Sequence, residues 1–473
     1  MKYIFTVLTF SCGISLASAQ LNFQKDYQPI ENQSTLPEQY FAKRDERIKS
    51  LVASQEILDT KNAEILFAKA NQQLRIFFLN GYILYDGPLT AYVRKVAGKT
   101  FATNPEALNG INFYVTTFPE ANAISMIDGT ILVNVGLLNV LDNEAQLAFI
   151  LAHEVAHFNK KHALKAYKQW LALKNQKDDT EKEKLAYLNL FHSREHEAEA
   201  DASGLTIMSK SDFDAKQAYG ALANIEKEDT SLTPLKADFL QLFSSELYQL
   251  DSSLIRFTQK FRHVDSKSSS GKRSVFKGDT DNLSSHPAMD KRKIAVNEIL
   301  ESTQYLYNIK PDESAGIEFN EMKTMAMFES ANMAYEEENY FLALAFASEL
   351  VKSYPENHFI QNTILQSLYW TGYYKDINNL EHLKTDISIY NRSRYWLIAK
   401  MMNKAESGTI KKMAYGYAKK MQKAMEKNDD FNFYTALAVE QYLGKETANI
   451  FYAQYQSKFP TGKHIVFVNE KTQ

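Results

Sequence analysis

The sequence predicts an α+β protein that is mostly α-helical, with a short sheet in its first half and helices alone in its last third. Three observations predict this class. Short apolar runs separated by turn residues between residues 111 and 133 are typical of strands. Residues 149–158, FILAHEVAHF, have the apolar spacing of a helix. From about residue 318 to residue 459 the spacing is helical throughout.

The composition restricts the class of protein. A length of 473 residues predicts two or three domains, and 45% apolar residues suffice for sizeable cores. The net charge of −3 gives no electrostatic reason to expect a nucleic-acid partner. Cys12 is the only cysteine, so no disulfide is expected.

Residues 1–19 have the pattern of a secretory signal peptide, with Lys2, an apolar run and Ala17-Ser18-Ala19 before the predicted cleavage site. The run is too short for a membrane span. No later stretch reaches the roughly 18 consecutive apolar residues that a span requires. We therefore expect export across the inner membrane and no transmembrane segment in the mature chain.

Residues 20–43 are polar and aperiodic and contain Pro29 and Pro37, which predicts an extended N-terminal arm. A first folded domain is predicted over residues 44–305. Its expected helices cover Asp45–Phe78 and a segment from Pro88, and its expected strands cover residues 111–115, 122–126 and 130–133.

The motif H-E-x-x-H occupies His153 to His157. Four residues are slightly more than one helical turn, so both imidazoles lie on one face and can bind one metal ion. Glu154 beside them can act as general base on a metal-bound water, which is the arrangement of a zincin-type metallopeptidase. The alternative is two half-buried polar residues on an amphipathic helix.

A third ligand must come from elsewhere, because Lys160 and Ala163 stand where the metzincin pattern has a Gly and a His. His162 is one residue out of register and is interpreted as a surface residue. Glu197 and Asp201 share a face of a predicted helix. Glu197 can supply an anionic ligand and Asp201 can accept the free N–H of a ligand histidine. The alternative is an acidic, solvated helix face.

HEVAH followed by SREHEAEAD resembles the HtpX, CAAX-prenyl-protease and mitochondrial quality-control group of zinc metallopeptidases, peptidase family forty-eight of the metallo class. Asn122–Leu138 is similar to the family's substrate-edge strand and the segment that leads to the catalytic helix. Ser285-His286-Pro287 with Arg292 is similar to its (T/S)HPxxxxR segment. The similarity runs from about Tyr82 to Leu300. Ala156 stands where many members carry Gly.

The resemblance implies one zinc ion per chain, bound by His153, His157 and Glu197, with Glu154 as base and Asp201 supporting a ligand. It also implies that Asn122, Ala123 and Ile124 form an edge that pairs with a peptide substrate. An ordinary packed strand is the alternative for these three residues.

Residues 227–285 show no clear pattern of secondary structure, and residues 265–285 within them are rich in Ser, Lys and Gly. His286 follows this segment. It is a candidate fourth ligand or gate, because a fourth protein ligand would close the open position of a catalytic zinc. The alternative is a His-Pro pair that starts a helix and packs against the domain.

Residues 316–473 predict an all-α, tetratricopeptide-like solenoid, since Tyr354-Pro355 recurs as Phe459-Pro460 after about three periods of ~34 residues. Such stacks offer a concave surface for a protein partner. The predicted helices are 321–337, 340–353, 357–370, 373–385, 391–406, 410–427, 430–443 and 446–458.

Signal, zincin motif and repeats together resemble the BepA-like, envelope-resident branch of this family. That resemblance implies a periplasmic zinc endopeptidase that acts on exported or misfolded polypeptides in outer-membrane quality control, peripheral to the membrane at most. A different class stays open: a chaperone-like adaptor with a latent metal site, whose repeats carry the function. A purely structural zinc site is a third possibility.

Overall fold

A computed structural model describes residues 23–32, 38–53, 60–166, 194–230, 238–255, 289–302, 313–379, 383 and 395–472. The fold is mostly helical with one four-stranded mixed sheet, which confirms the predicted class. The predicted signal peptide and His286 lie outside the described residues. Within those residues, no helix combines the length and apolar character needed to cross a bilayer.

The helices of the first part surround a small sheet. The stretch Asp45–Phe78, predicted as helical, is divided between two helices, and the first begins at Glu38, inside the range predicted to be an extended arm. The bounds are α1 Glu38–Ala53, α2 Thr60–Leu79, α3 Pro88–Thr100, α4 Val135–Val140, α5 Glu144–Asn159, α6 Arg194–Met208, α7 Gln217–Thr230, α8 Phe239–Phe243 and α9 Met289–Ser302.

The sheet has the strand order β1-β2-β4-β3, with β2 and β4 parallel and the other pairs antiparallel. Gly129, at φ 87°, makes the predicted turn between β3 and β4. The two-residue strand β1 was not predicted, because it is too short to show a period. The strands are β1 Ile83–Leu84, β2 Asn112–Thr116, β3 Ala123–Ser125 and β4 Thr130–Asn134.

Helix α5 is the centre of this domain. Its first turn is capped by the Asn143 side chain, which accepts the backbone N–H of Gln146 at 3.0 Å. From Gln146 to His157 every residue is buried, as expected for a helix enclosed on all sides. Burial of each large apolar side chain contributes roughly 1.5–3 kcal/mol, which holds the polar residues of α5 in a fixed position.

The second part is a stack in which helices that follow one another along the chain mostly pack together. Three helices begin at an asparagine cap, at Asn339, Asn357 and Asn428. The predicted break between helices 357–370 and 373–385 is wrong: one helix continues through Gly372. The bounds are α10 Glu313–Glu336, α11 Tyr340–Ser353, α12 His358–Asp376, α13 Trp396–Lys404, α14 Ser407–Met421, α15 Asp429–Leu443, α16 Lys445–Lys458 and α17 Ile465–Thr472.

Helix α10 joins the two parts, because it packs against α3 and α4 as well as against α11. Asn139 Nδ2 donates to Ser330 Oγ at 2.8 Å, and Lys323 Nζ donates to the Leu141 carbonyl at 2.6 Å. The helical stack therefore shares a buried interface with the domain that contains α5.

The described part of the N-terminal arm, residues 23–32, lies across this junction. The Phe23 and Tyr27 rings stack on Phe328 of α10. Asn32 accepts from the Tyr85 N–H and donates to the Ile83 carbonyl, both at 2.9 Å. The arm thus fastens the β1 side of the sheet to the helical stack.

Glu329 of α10 anchors the arm and predicts a pH-dependent stability. Its Oε1 accepts from the Tyr27 hydroxyl and from the Ile30 N–H, and burial raises the pKa of Glu329 from 4.5 to about 7. The folded chain therefore holds this proton more tightly than the unfolded chain. The contribution of Glu329 to stability should be complete below pH 4.5 and fall by about 3 kcal/mol as pH rises through 7.

The Glu329→Gln variant keeps an acceptor for both donors and never has to bury a charge. In thermal melts between pH 5 and pH 8, we expect the Tm of the wild type to fall more than the Tm of this variant. Glu336→Gln, an exposed change on the same helix, is the matched control. Parallel curves for Glu329→Gln and wild type would contradict the assigned proton.

Candidate metal centre

Close packing of α5 against α6 brings the predicted ligands together. Gly204 permits this approach, because a Cβ at that position would lie 3.2 Å from Phe149 Cε2 and 3.4 Å from the His153 backbone nitrogen. One face of α6 therefore lies directly over the face of α5 that carries the H-E-x-x-H residues.

His153, His157 and Glu197 form a buried cluster whose ligand atoms all lie within 4.8 Å of one another. The two Nε2 atoms are 2.9 Å apart. Glu197 Oε1 is 3.3 Å from His157 Nε2, and Oε2 is 3.6 Å from His153 Nε2. Of the described residues, these three are the group that could hold a metal ion.

Two charged residues outside the ligand set, Asp201 and Arg292, contact the cluster. Asp201 Oδ1 lies 2.9 Å from His153 Nδ1, where the sequence predicted an acceptor. Arg292 of α9 donates to both oxygens of Asp201, at 2.8 and 2.7 Å, and its Nη1 is 2.8 Å from Glu197 Oε2. Burial alone would raise the pKa of Asp201, but Arg292 lowers it to about 2. Asp201 is therefore ionised and can accept the His153 Nδ1–H.

Glu154 is buried beside the ligands. Burial raises its pKa well above the ordinary value, and the neighbouring charge of Glu197 raises it further. The Arg292 charge and a hydrogen bond from the Ser125 backbone N–H oppose this rise. A cation bound by the cluster would oppose it too. The Glu154 carboxyl thus lies beside the ligands with a raised pKa, as suits a group that exchanges a proton.

Strand β3 borders the cluster. It is the last strand of the sheet, pairing with β4 on one side and packing against α5. The residues predicted as a substrate edge lie here: Ala123 and Ile124 are in β3, and Asn122 precedes it. A cavity beside Glu154 is lined by Asn122 and Ala123 together with His153 and Arg292.

His162 is not the surface residue that the sequence suggested. Helix α5 ends at Asn159, and Lys161 takes a left-handed conformation, φ 56°, which turns the chain before His162. This turn brings the His162 imidazole next to the cluster, where it is only 1% exposed. The prediction assumed an uninterrupted helix, and the sequence Lys160-Lys161 contains no glycine or proline that would indicate the break.

Comparison with known families matches residues 86–300 to Peptidase family M48. The match covers just under half of the chain. The matched region runs from just before α3 to α9 and includes all the residues of the cluster, Glu154 and Arg292.

Similar curated proteins match a shorter stretch of the chain. The Beta-barrel assembly-enhancing protease of Yersinia pestis is 28% identical over 87 residues, which cover 18% of this chain and 18% of that protein. The protein of that name from Escherichia coli K12 is 26% identical over 84 residues, covering 18% of this chain and 17% of the relative. The matched stretch thus spans less than a fifth of either relative.

Proposed function

We propose that this chain is a zinc-dependent endopeptidase that hydrolyses peptide bonds of exported or misfolded proteins in the periplasm. The observation that carries the proposal is the convergence of three buried ligand groups, His153, His157 and Glu197, beside the buried carboxyl of Glu154 in an M48 domain.

The donor set fits zinc. A tetrahedral ion with bonds of about 2.0–2.1 Å keeps its ligand atoms roughly 3.3 Å apart. The spacings between the cluster's ligand atoms are 2.9, 3.3 and 3.6 Å. Two imidazoles and one carboxylate are the ligands of several catalytic zinc sites, and such a set leaves one position for water or substrate. When bound, zinc would acidify a water and polarise the scissile carbonyl.

The protein's own groups supply the remaining steps. Glu154 takes a proton from the water and later gives one to the leaving amine, as a general base and then a general acid. Arg292 lies 2.8 Å from Glu197 Oε2 and 2.7 Å from Asp201 Oδ1 and holds both carboxylates in place. The substrate pairs as an extended strand with the edge formed by Asn122, Ala123 and Ile124, which places its backbone beside Glu154.

The proposed location and partners are supported by the predicted signal at residues 1–19 and by the name of the similar proteins, Beta-barrel assembly-enhancing protease. We place the chain in outer-membrane protein quality control, at most peripheral to that membrane. The tetratricopeptide-like helices within residues 316–473 hold a protein partner. A fourth ligand from His286 would close the site and act as a gate.

The test is hydrolysis of an unfolded exported polypeptide by the purified wild type beside Glu154→Gln, at matched zinc content. Hydrolysis by the wild type alone supports the endopeptidase. Full biological activity of the Glu154→Gln variant would instead favour a chaperone-like adaptor whose helical stack carries the function.

A further inference from the structure

His162 is held in one orientation by contacts on three sides. Its Nδ1 lies 2.9 Å from Nδ1 of His157, and its Nε2 lies 3.0 Å from Glu199 Oε2. Its ring stacks on His196, with centroids 4.3 Å apart and planes at 11°. Two polar contacts and a stacked ring restrict the orientation of this buried imidazole more than apolar packing alone would.

The position of the metal cluster fixes the direction of these hydrogen bonds. His157 uses Nε2 as its ligand atom, so its proton is on Nδ1 and that nitrogen must donate. The atom that faces it, His162 Nδ1, must then accept. The proton of His162 is consequently on Nε2, from which it is donated to the carboxylate of Glu199.

We propose that His162 and Glu199 are positioning residues for the metal centre: a carboxylate–imidazole relay that fixes the tautomer and ring orientation of His157. The inference rests on the proposed zinc site. His153 has a related arrangement without an intervening imidazole, because Asp201 Oδ1 lies 2.9 Å from its Nδ1. Each ligand histidine is thus supported by a carboxylate, one directly and the other through a second imidazole.

Glu199 is itself held in place. Lys160 Nζ donates to its Oε1 at 2.8 Å, and Lys165 Nζ lies 3.8 Å from Oε2. Its side chain is 41% exposed, so the relay runs from the solvent-facing side of α6 to the buried cluster. Replacing Glu199 is therefore a mild change to the fold, whereas replacing His162 changes the interior.

The test measures zinc affinity of the full chain, by competition with a chromophoric chelator after metal removal. His162→Phe keeps the flat ring but cannot accept from His157, and we expect zinc affinity to fall about 10–100-fold, the usual loss when a partner of a metal ligand is removed. His162→Asn puts an amide oxygen near the position of Nδ1 and should recover most of the affinity. The Tm of the metal-free Phe variant should stay near that of the wild type.

Glu199→Ala tests the outer end of the relay and should weaken zinc binding less than His162→Phe. Glu195→Ala, an exposed carboxylate on the same helix, is the matched control and should bind zinc like the wild type. Unchanged zinc affinity in His162→Phe, or in Glu199→Ala if the first variant does not fold, would overturn the relay while leaving the peptidase proposal intact. A wild type that binds no zinc would overturn both.

Discussion

Glu154→Gln is expected to lower kcat/KM for peptide hydrolysis by about 10²–10⁴-fold, because removal of a positioned general base costs that much. Zinc content should not change, since Glu154 is not a member of the ligand cluster. The fold should be kept as well, because a glutamine oxygen can still accept from the Ser125 N–H. Loss of hydrolysis with zinc retained is the combination that identifies a base.

The measurement is hydrolysis of an unfolded protein by wild type and variant, with zinc quantified in both preparations. Glu195→Gln on α6, an exposed glutamate away from the reacting position, serves as the control and should hydrolyse like the wild type. Equal rates for Glu154→Gln and wild type would contradict the assigned role. A variant that loses both zinc and activity would mean that Glu154 supports the ligands rather than the proton transfer.

Arg292→Met is expected to destabilise the metal-free protein by about 3–5 kcal/mol, the usual cost of removing one partner from a buried ionic group. Arg292 is 7% exposed and contacts both Glu197 and Asp201, so two buried carboxylates would lose their cation. Zinc adds positive charge beside Glu197, so the loss should be smaller in the zinc-loaded protein. Thermal melts with and without zinc measure both quantities.

A second variant separates the effect of charge from that of geometry at Arg292, and a third serves as the control. Arg292→Lys keeps the charge but cannot reproduce the planar contacts with two carboxylates, so its stability should be intermediate. Lys291→Met, the exposed neighbour on α9, should melt like the wild type. If Arg292→Met is as stable as Lys291→Met without zinc, then Glu197 and Asp201 do not depend on this cation.

The sequence alone predicted the class of fold and the helix faces that carry the ligand residues, since both depend on local spacing. The pairing of Glu197 with the two histidines was instead implied by the resemblance to a known family. The i, i+4 spacing of His153 and His157 fixes their common face on a helix, whatever the helix packs against. Asp201 follows Glu197 by the same spacing, so bringing one to the cluster brings the other close.

The remainder depends on contacts between residues that are distant in sequence. Arg292 was recognised as part of a segment, but its contacts with Glu197 and Asp201 require α9 to pack against α6. His162 was misplaced because the turn at Lys161 comes from a backbone conformation that lysine rarely adopts. The contact of Tyr27 with Glu329 joins residues 302 positions apart, and no periodicity encodes it.

The central claim is that His153, His157 and Glu197 bind one zinc ion and leave a coordination position open. The most direct measurement is the anomalous scattering of a crystal of the zinc-loaded protein, recorded on either side of the zinc absorption edge. We predict one peak per chain, about 2.0–2.2 Å from the two Nε2 atoms and a Glu197 oxygen. No peak at this cluster, or a zinc ion held by other residues, would contradict the claim.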